Sequence, residues 1–423
     1  MSKTRKLKIA IFTDVFLEVA GGIPSSIQAQ KDILERLGHE VTVFCPGRKQ
    51  PKDKSIVLVP TMRFVRAGGA PTSRGPNFVE NFVRQKFPHF SDFDIVHVHY
   101  EASCSMAGAR LAREFGVPLV QTMHGREDMA IAVNVPHPLK TIAAFLLEFL
   151  HSRFIPHEVN VTRDNYLAPT IARAKMWKLM VNQANYADQV LVPSQHFEEK
   201  LKHYGVKKPI TVVSNGVSDE LVARFDKIAK ERGVSELRSM KDGEPLRLIW
   251  NSRVSHEKRI IPFLKAIRKM TRPVKVSIYG DGNALAQAER YVHKHKLDGS
   301  AKFYGAVDHD KILEKMLSQH LSVMTSYGFD TQGLTLLEAE ATGLPVFFVD
   351  PDMREVVPRA GSVKAGKSPS EMARKLDWVA YHPESIEAMS REMLLCRGEI
   401  FQSTQIRKLL EIYIRLASAR ISA

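Results

Sequence analysis

Short apolar runs recur along this chain, each separated from the next by a loop and a stretch of helical periodicity. That alternation restricts the chain to folds built on parallel strands, because a parallel neighbour requires a long crossover, usually a helix. Lys8 to Phe12 is the first run; Gly21-Gly22-Ile23-Pro24 and a helical segment carrying Ile27, Ile33 and Leu34 follow it, and Val41 to Phe44 is the next run. Ile56 to Val59, Ile95 to Val98, Leu119 to Thr122 and Val190 to Val192 extend the series, with helices such as Ala107 to Phe115 between them. The first half therefore reads as a doubly wound α/β domain. A second series runs through Leu246 to Trp250, Val274 to Tyr279, Ala301 to Tyr304, Leu321 to Met324 and Val346 to Val349, with helical segments 260–270, 284–296, 310–318 and 334–342 between them.

Two Rossmann-like domains are thus expected, residues 1–215 and 216–400, with a hinge in the turn and polar stretch at 213–245. Residues 401–423 close with a helix whose Ile406, Leu409, Leu410, Tyr413 and Leu416 share one face and need a partner surface. A chain of 423 residues gives each half enough length for its own core. Charged residues at 25% and hydrophobic residues at 44% exclude a disordered chain. Asp14 interrupts the first apolar run too early for a signal peptide, so a cytoplasmic protein is expected. The most lipophilic stretch, Ile142 to Leu150, contains Glu148 and falls short of the ~20 residues that span a bilayer. Cys45, Cys104 and Cys396 are scattered and form no disulfide or zinc pattern.

The formal charge of +15 favours phosphates and anionic surfaces as partners. Its distribution is uneven: residues 251–300 carry 11 Lys and Arg against 4 acids, and residues 301–350 carry 3 against 7. Because the basic residues are interleaved with periodic apolar ones, a nucleic-acid-binding tail is not expected.

Chemistry-bearing residues collect at the ends of the second set of strands. Arg253 and Lys258 stand five positions apart in a loop between strand and helix, where a guanidinium and an ammonium can converge on a diphosphate. Gly280-Asp281-Gly282 and Tyr304-Gly305 end two further strands. Asp330, Gln332, Gly333, Leu334 and Glu338 place two carboxylates around a glycine at a helix start, a position suited to an anion or a row of hydroxyls. By the general rule for such sheets, loops at successive strand carboxyl ends share one ligand crevice.

These motifs resemble those of the retaining glycosyltransferases of the GT-B class that carry a Glu-x7-Glu motif, with Asp330 in place of the first glutamate and Gln332 where an aromatic is usual. The loop Ser252-Arg253 to Lys258-Arg259 is similar to the family's Gly-Arg-x-x-x-x-Lys loop, without its flanking glycines. The resemblance implies two Rossmann-like domains facing a deep cleft, with the final helix crossing back to the first domain. It implies that a nucleoside-diphosphate sugar, a UDP-sugar foremost, is the donor. Asp330 and the amides of Gln332, Gly333 and Leu334 then hold the sugar, Glu338 the ribose, Arg253 and Lys258 the diphosphate, and Gly280 and Asp281 the base side. No metal or other cofactor is required.

In the first domain the resemblance places Gly21 and Gly22 beside the diphosphate and His124 beside the donor sugar. His97 and His99 alternate along a strand and face one way, and no third metal ligand stands at suitable spacing. Residues 125–185 mix basic and bulky apolar side chains, compatible either with ordinary helices or with docking on an anionic membrane surface. The expected function is hexose transfer with retention to a hydroxyl acceptor, a sugar or a membrane lipid of glycolipid or diacylglycerol type, on the cytoplasmic face. The alternatives are a nucleotide-sugar epimerase of the same fold and a non-catalytic nucleotide- or membrane-binding relative.

Overall fold

The computed structural model describes residues 5–15, 22–67 and 70–422. The chain divides into two units, residues 1–215 with 405–423, and residues 216–404.

The strands of the first unit are β1 (Lys8–Thr13), β2 (Glu40–Pro46), β3 (Ile56–Val59), an antiparallel hairpin of β4 (Thr61–Ala67) and β5 (Ala70–Ser73), then β6 (Ile95–His99), β7 (Leu119–Thr122), β8 (Gln189–Val192) and β9 (Ile210–Val212). Setting the hairpin aside, seven of them form one parallel sheet in the order β3-β2-β1-β6-β7-β8-β9. The chain leaves the sheet on one side after β3 and resumes on the other at β6, so β1 and β6 flank the point where strand order reverses. The helices are α1 (Gly22–Arg36), α2 (Pro76–Lys86), α3 (Ser103–Glu114), α4 (Glu127–Asn134), α5 (Leu139–Ser152), α6 (Ile171–Tyr186) and α7 (Gln195–His203).

Alternation along β1 sorts the core. Ile9 and Ile11 join Ile27 and Leu34 of α1, while Ala10 and Phe12 join Val79 and Val83 of α2 and Leu111 of α3. Phe12 stacks on Phe44 at 4.4 Å, and α3 passes so close that a Cβ at Gly108 would lie 2.4 Å from the Phe12 ring. That helix position therefore admits only glycine. Cys45 and Cys104 are buried free thiols, and burial pushes that of Cys45 up to about 12.

The second unit holds β10 (Leu246–Asn251), β11 (Val274–Tyr279), β12 (Ala301–Phe303), β13 (Leu321–Met324), β14 (Val346–Phe348) and β15 (Ser362–Lys364) in one parallel sheet, ordered β12-β11-β10-β13-β14-β15. Its helices are α8 (Asp219–Glu231), α9 (Ile260–Ile267), α10 (Leu285–Lys294), α11 (His309–Met316), α12 (Leu334–Ala341), α13 (Pro369–Tyr381) and α14 (Glu384–Cys396). Leu248 and Trp250 pack with α9, α10 and α13, and Ile249 packs on the other face with α8, α11 and α12. Strand order reverses between β10 and β13.

The last helix, α15 (Gln402–Ser422), places Ile406, Leu409, Ile412, Tyr413 and Ala417 against the α1 face of the first sheet. Of the face expected from sequence, Leu410 and Leu416 are only half-buried, and Ile412 and Ala417 lie deeper. Among the described residues no helix is long and apolar enough to cross a membrane.

Candidate active site

The loops after β10 and β11 are laced together. Ser252 donates its amide to the Tyr279 carbonyl at 3.1 Å, and Val254 donates to the Asp281 carbonyl at 2.9 Å. Two glycines allow this approach. Gly280 has φ +133 and a Cβ there would stand 1.9 Å from the Ser252 oxygen; at Gly282 it would stand 2.5 Å from the Val254 oxygen. Gly280 also donates to the Gly305 carbonyl at 2.8 Å, tying in the loop after β12. The glycine-rich strand end thus joins three loops into one platform. Asp281 is exposed on it, its carboxylate accepting from the Gly282 amide at 2.6 Å. Tyr304 stacks on Tyr279 at 4.9 Å and remains 45% exposed, leaving a flat aromatic face beside that platform.

After Val254 the chain makes a single 3-10 turn, His256–Lys258, and enters α9 through Arg259 at φ +60. The resembled family often has glycine at this position. Here an arginine holds the left-handed conformation, which costs a non-glycine residue roughly 1–2 kcal/mol, while its guanidinium donates to the Lys367 carbonyl at 2.6 Å.

Lys258 lies where β10 and β13 release their loops. Its carbonyl accepts from Thr325 Oγ1 at 2.7 Å, and Thr325 Oγ1 in turn accepts from the Trp250 indole at 3.1 Å. Its ammonium rests 5.3 Å from the Phe329 ring centroid and pairs with Asp330 Oδ1 at 2.5 Å. Ser326 donates its hydroxyl to the other Asp330 oxygen. Both side chains of the ion pair are largely withdrawn from solvent, at 16% and 14% exposure. Arg253, in contrast, is mostly exposed and reaches Glu257 Oε1 at 3.2 Å.

Gly333 forms the N-cap of α12 with φ +73, and a Cβ there would meet the Met324 side chain at 2.8 Å. A glycine cap supplies no side chain to the first helical amides, so they can be offered to a ligand. Gln332 is buried beside the cap, Leu334 opens the helix half-buried, and Glu338 is half-buried one turn on. The structure therefore collects Arg253, Lys258, Gly280, Asp281, Asp330, Gln332, Gly333, Leu334 and Glu338 at the carboxyl ends of β10, β11 and β13, with Lys258 and Asp330 in direct contact. Ser326 was not legible as a member, since a serine in a loop carries no pattern. Glu340, further along α12, is buried. Burial, with Glu399 adding to it, pushes its carboxyl up to about 8.

Of the first-unit candidates, Gly21 lies outside the described residues, and Gly22 opens α1. His124 follows β7, its Nε2 lying 2.7 Å from His99 Nδ1 with the rings stacked at 5.0 Å. His97 Nδ1 lies 2.6 Å from the Tyr413 hydroxyl of α15, and its Nε2 lies 2.6 Å from Thr122 Oγ1. The His97 and His99 rings are 4.1 Å apart, as their alternation along β6 requires. Burial, reinforced by the His124 imidazole, lowers His97 to about 3; burial, reinforced by the His97 and His124 imidazoles, lowers His99 well below its ordinary range; burial alone lowers His124 to about 4. Neutral imidazoles result. Among the described residues no group of three or more His, Cys, Asp or Glu side chains could hold a metal ion.

At the reversal point of the first sheet, Asp14 caps the start of α3. Its carboxylate accepts from the Cys104 and Ser105 amides at the start of α3, at 2.8 and 3.1 Å, and from the hydroxyls of Ser105 and Ser73. Burial raises its pKa above the usual carboxylate range against the pull of those four bonds.

The family described as Glycosyltransferase Family 4 matches residues 20–221, and that described as Glycosyl transferases group 1 matches residues 236–393. Alpha-monoglucosyldiacylglycerol synthase of Streptococcus pneumoniae is 27% identical over 80% of this chain and 70% of its own. The enzyme of that name from Acholeplasma laidlawii is 24% identical over 91% of each. In three dimensions, sucrose-phosphate synthase of Thermosynechococcus elongatus superposes with a TM-score of 0.69 over 98% of this chain and all of that one, at 14% identity, which speaks for the fold alone. With its two Rossmann-like sheets and both family segments in order, the chain is a hexosyltransferase of the GT-B superfamily, a Glycosyltransferase Family 4 segment followed by a group 1 segment.

Proposed function

We propose that this enzyme moves a hexose, with retention of anomeric configuration, from a nucleoside-diphosphate sugar, a UDP-sugar foremost, to the hydroxyl of a diacylglycerol-type lipid at the cytoplasmic face of a membrane. The observation that carries the donor side is the Lys258–Asp330 pair beside the glycine-capped N-terminus of α12. On entry of the donor, the Lys258 ammonium passes from Asp330 to the diphosphate, joined by Arg253, and Asp330 is released to a sugar hydroxyl. Amides of Gln332, Gly333 and Leu334 hold the sugar, Glu338 the ribose diol, and Gly280 and Asp281 flank the base. His124 serves as a neutral hydrogen-bonding group toward the sugar.

The bond from the anomeric carbon to the phosphate oxygen breaks, and a bond to the acceptor oxygen forms on the same face. The acceptor's proton ends on the released diphosphate. Two cations meet the charge that develops there, a task otherwise given to a divalent metal. The lipid acceptor is supported by the names of the two relatives, both of which make an α-glucosyl diacylglycerol.

The test is mass spectrometry of the protein incubated with UDP-glucose, UDP-galactose, GDP-mannose or ADP-glucose and with diacylglycerol. A lipid heavier by one hexose, α-linked by NMR, is expected. Donor consumed to free sugar alone, or donor left intact in every mixture, overturns it.

A further inference from the structure

The helix α5 is built inside out. Leu139, Ile142, Phe145, Leu146, Phe149 and Leu150 recur at helical spacing and are 45–66% exposed. Its inward side carries Ala144, Glu148 and His151. Glu148 pairs with Lys175 at 3.1 Å, Lys178 at 2.8 Å and His157 at 3.1 Å. His151 bridges His157 at 2.8 Å and Gln183 at 3.0 Å. This polar network fixes which face points inward, because turning the helix over would expose its bonds and strand a carboxylate.

Among the described residues of α5 the outward face carries no acid, and cations border it. Lys175 sits 4.4 Å from the Phe145 ring centroid and Arg153 lies 5.8 Å from that of Phe149. The only acid of the helix is the inward Glu148. A continuous apolar face of this size is rare on a soluble surface and marks an interaction site. Fourteen residues rise only about 21 Å, too short to cross a bilayer and long enough to lie in its plane.

We infer that α5 docks in the plane of an anionic bilayer, its apolar face among the acyl chains and the exposed Arg153 at the phosphates. A second copy is the less suited occupant, since pairing two such faces sets like charges against each other. An anionic lipid surface complements both the apolar stripe and its cations. The purpose of the docking, though not its geometry, rests on the lipid-acceptor proposal.

The experiment is co-sedimentation of the full chain with vesicles of phosphatidylcholine alone or with 30% phosphatidylglycerol (about one lipid in three, enough for a negative surface potential), without nucleotide or diacylglycerol. The wild type should bind the anionic vesicles and release in about 1 M salt, where screening is short-ranged. A variant with Ile142→Ser, Phe145→Ser and Phe149→Ser should bind about tenfold more weakly, equivalent to about 1.4 kcal/mol. It should keep its melting temperature and its rate on a short-chain, water-soluble diacylglycerol. Equal binding by variant and wild type, or no binding by either, overturns the inference, as does a variant that changes only the state of self-association. Vesicle binding by a wild type that glycosylates no diacylglycerol supports the docking and sinks the lipid-acceptor proposal alone.

Discussion

The two sheets reverse strand order in the same way, yet the two reversal points are finished differently. In the first unit the Asp14 carboxylate sits on the opening amides of α3. In the second, α12 opens on Gly333, and the Asp330 carboxylate, three residues before it, is turned to Lys258 and Ser326. One helix start is capped by a carboxylate of the chain, and the other opens on a glycine that brings no side chain to its amides. The surroundings follow the same division: neutral, buried imidazoles near the first, and the cations Arg253 and Lys258 near the second. A shared topology therefore does not imply a shared ligand. The polar groups set at the strand ends decide which unit receives an anion.

The largest effect should come from acid. His97, His124 and His151 have folded pKa values of about 3, 4 and 3, below the ordinary 6.5. Their contribution to stability is complete above pH 6.5 and is lost as pH falls toward 3 to 4, at about 1.4 kcal/mol per pH unit for each imidazole. Asp14, Glu101 and Glu127 of the first unit, raised by burial, offset part of this; in the second unit the lowered imidazole of His320, at about 4, is set against Glu340, raised to about 8, whose contribution is lost as pH rises from 4.5 to 8. Hydrogen exchange corrected for intrinsic rates should show the first unit losing protection first between pH 6.5 and 5. Equal loss in both units would break the contrast.

Next in size, Lys258→Ala should lower kcat/KM for transfer by about 10²–10³, the cost typical of removing a group that stabilises developing charge. A smaller drop would shift the anion's principal partner to Arg253. Asp14→Ala should leave UDP affinity within about twofold and cost roughly 1–3 kcal/mol of stability, since two α3 amides and two hydroxyls lose their acceptor; calorimetry and thermal melting read the two effects separately. Smallest, Gly333→Ala should cost about 1 kcal/mol for the left-handed conformation, apart from the contact with Met324. An unchanged melting temperature would mean that the cap relaxes freely.

Much of this was open to reading in the sequence. Apolar runs of parallel strands are buried on both faces and read as continuous blocks, so β1, β2, β6, β10, β11 and β13 stand out within a residue or two of their ends. Lys258 and Asp330, 72 positions apart, could be assigned to one crevice in advance because strand-end loops converge by topology, though their ion pair could not. What escaped has physical causes. The β4–β5 hairpin and the short edge strands β9 and β15 carry little apolar periodicity. Asp14 was seen only as an interruption of an apolar run, since its partners Cys104 and Ser105 lie some 90 positions away. In α5 the usual rule inverts: leucines and phenylalanines predict an inward face, and only the contacts of Glu148 and His151 reveal which side is covered.

The placement of α15 bears on how the chain is made. The first unit comprises residues 1–215 and 405–423, so the whole of the second unit is an insertion within it. On the ribosome the first sheet emerges early, but the side chains that cover Ile9, Ile11 and Val43, namely Ile406, Leu409 and Tyr413, are synthesised only after residues 216–404. The inserted unit, contiguous in sequence, can complete its core while the first waits with one sheet face covered by α1 alone. A chain ending at residue 404 and released from the ribosome should thus present a finished second unit beside a half-covered apolar sheet that chaperones recognise, and the two units should mature in the reverse of the order in which they begin.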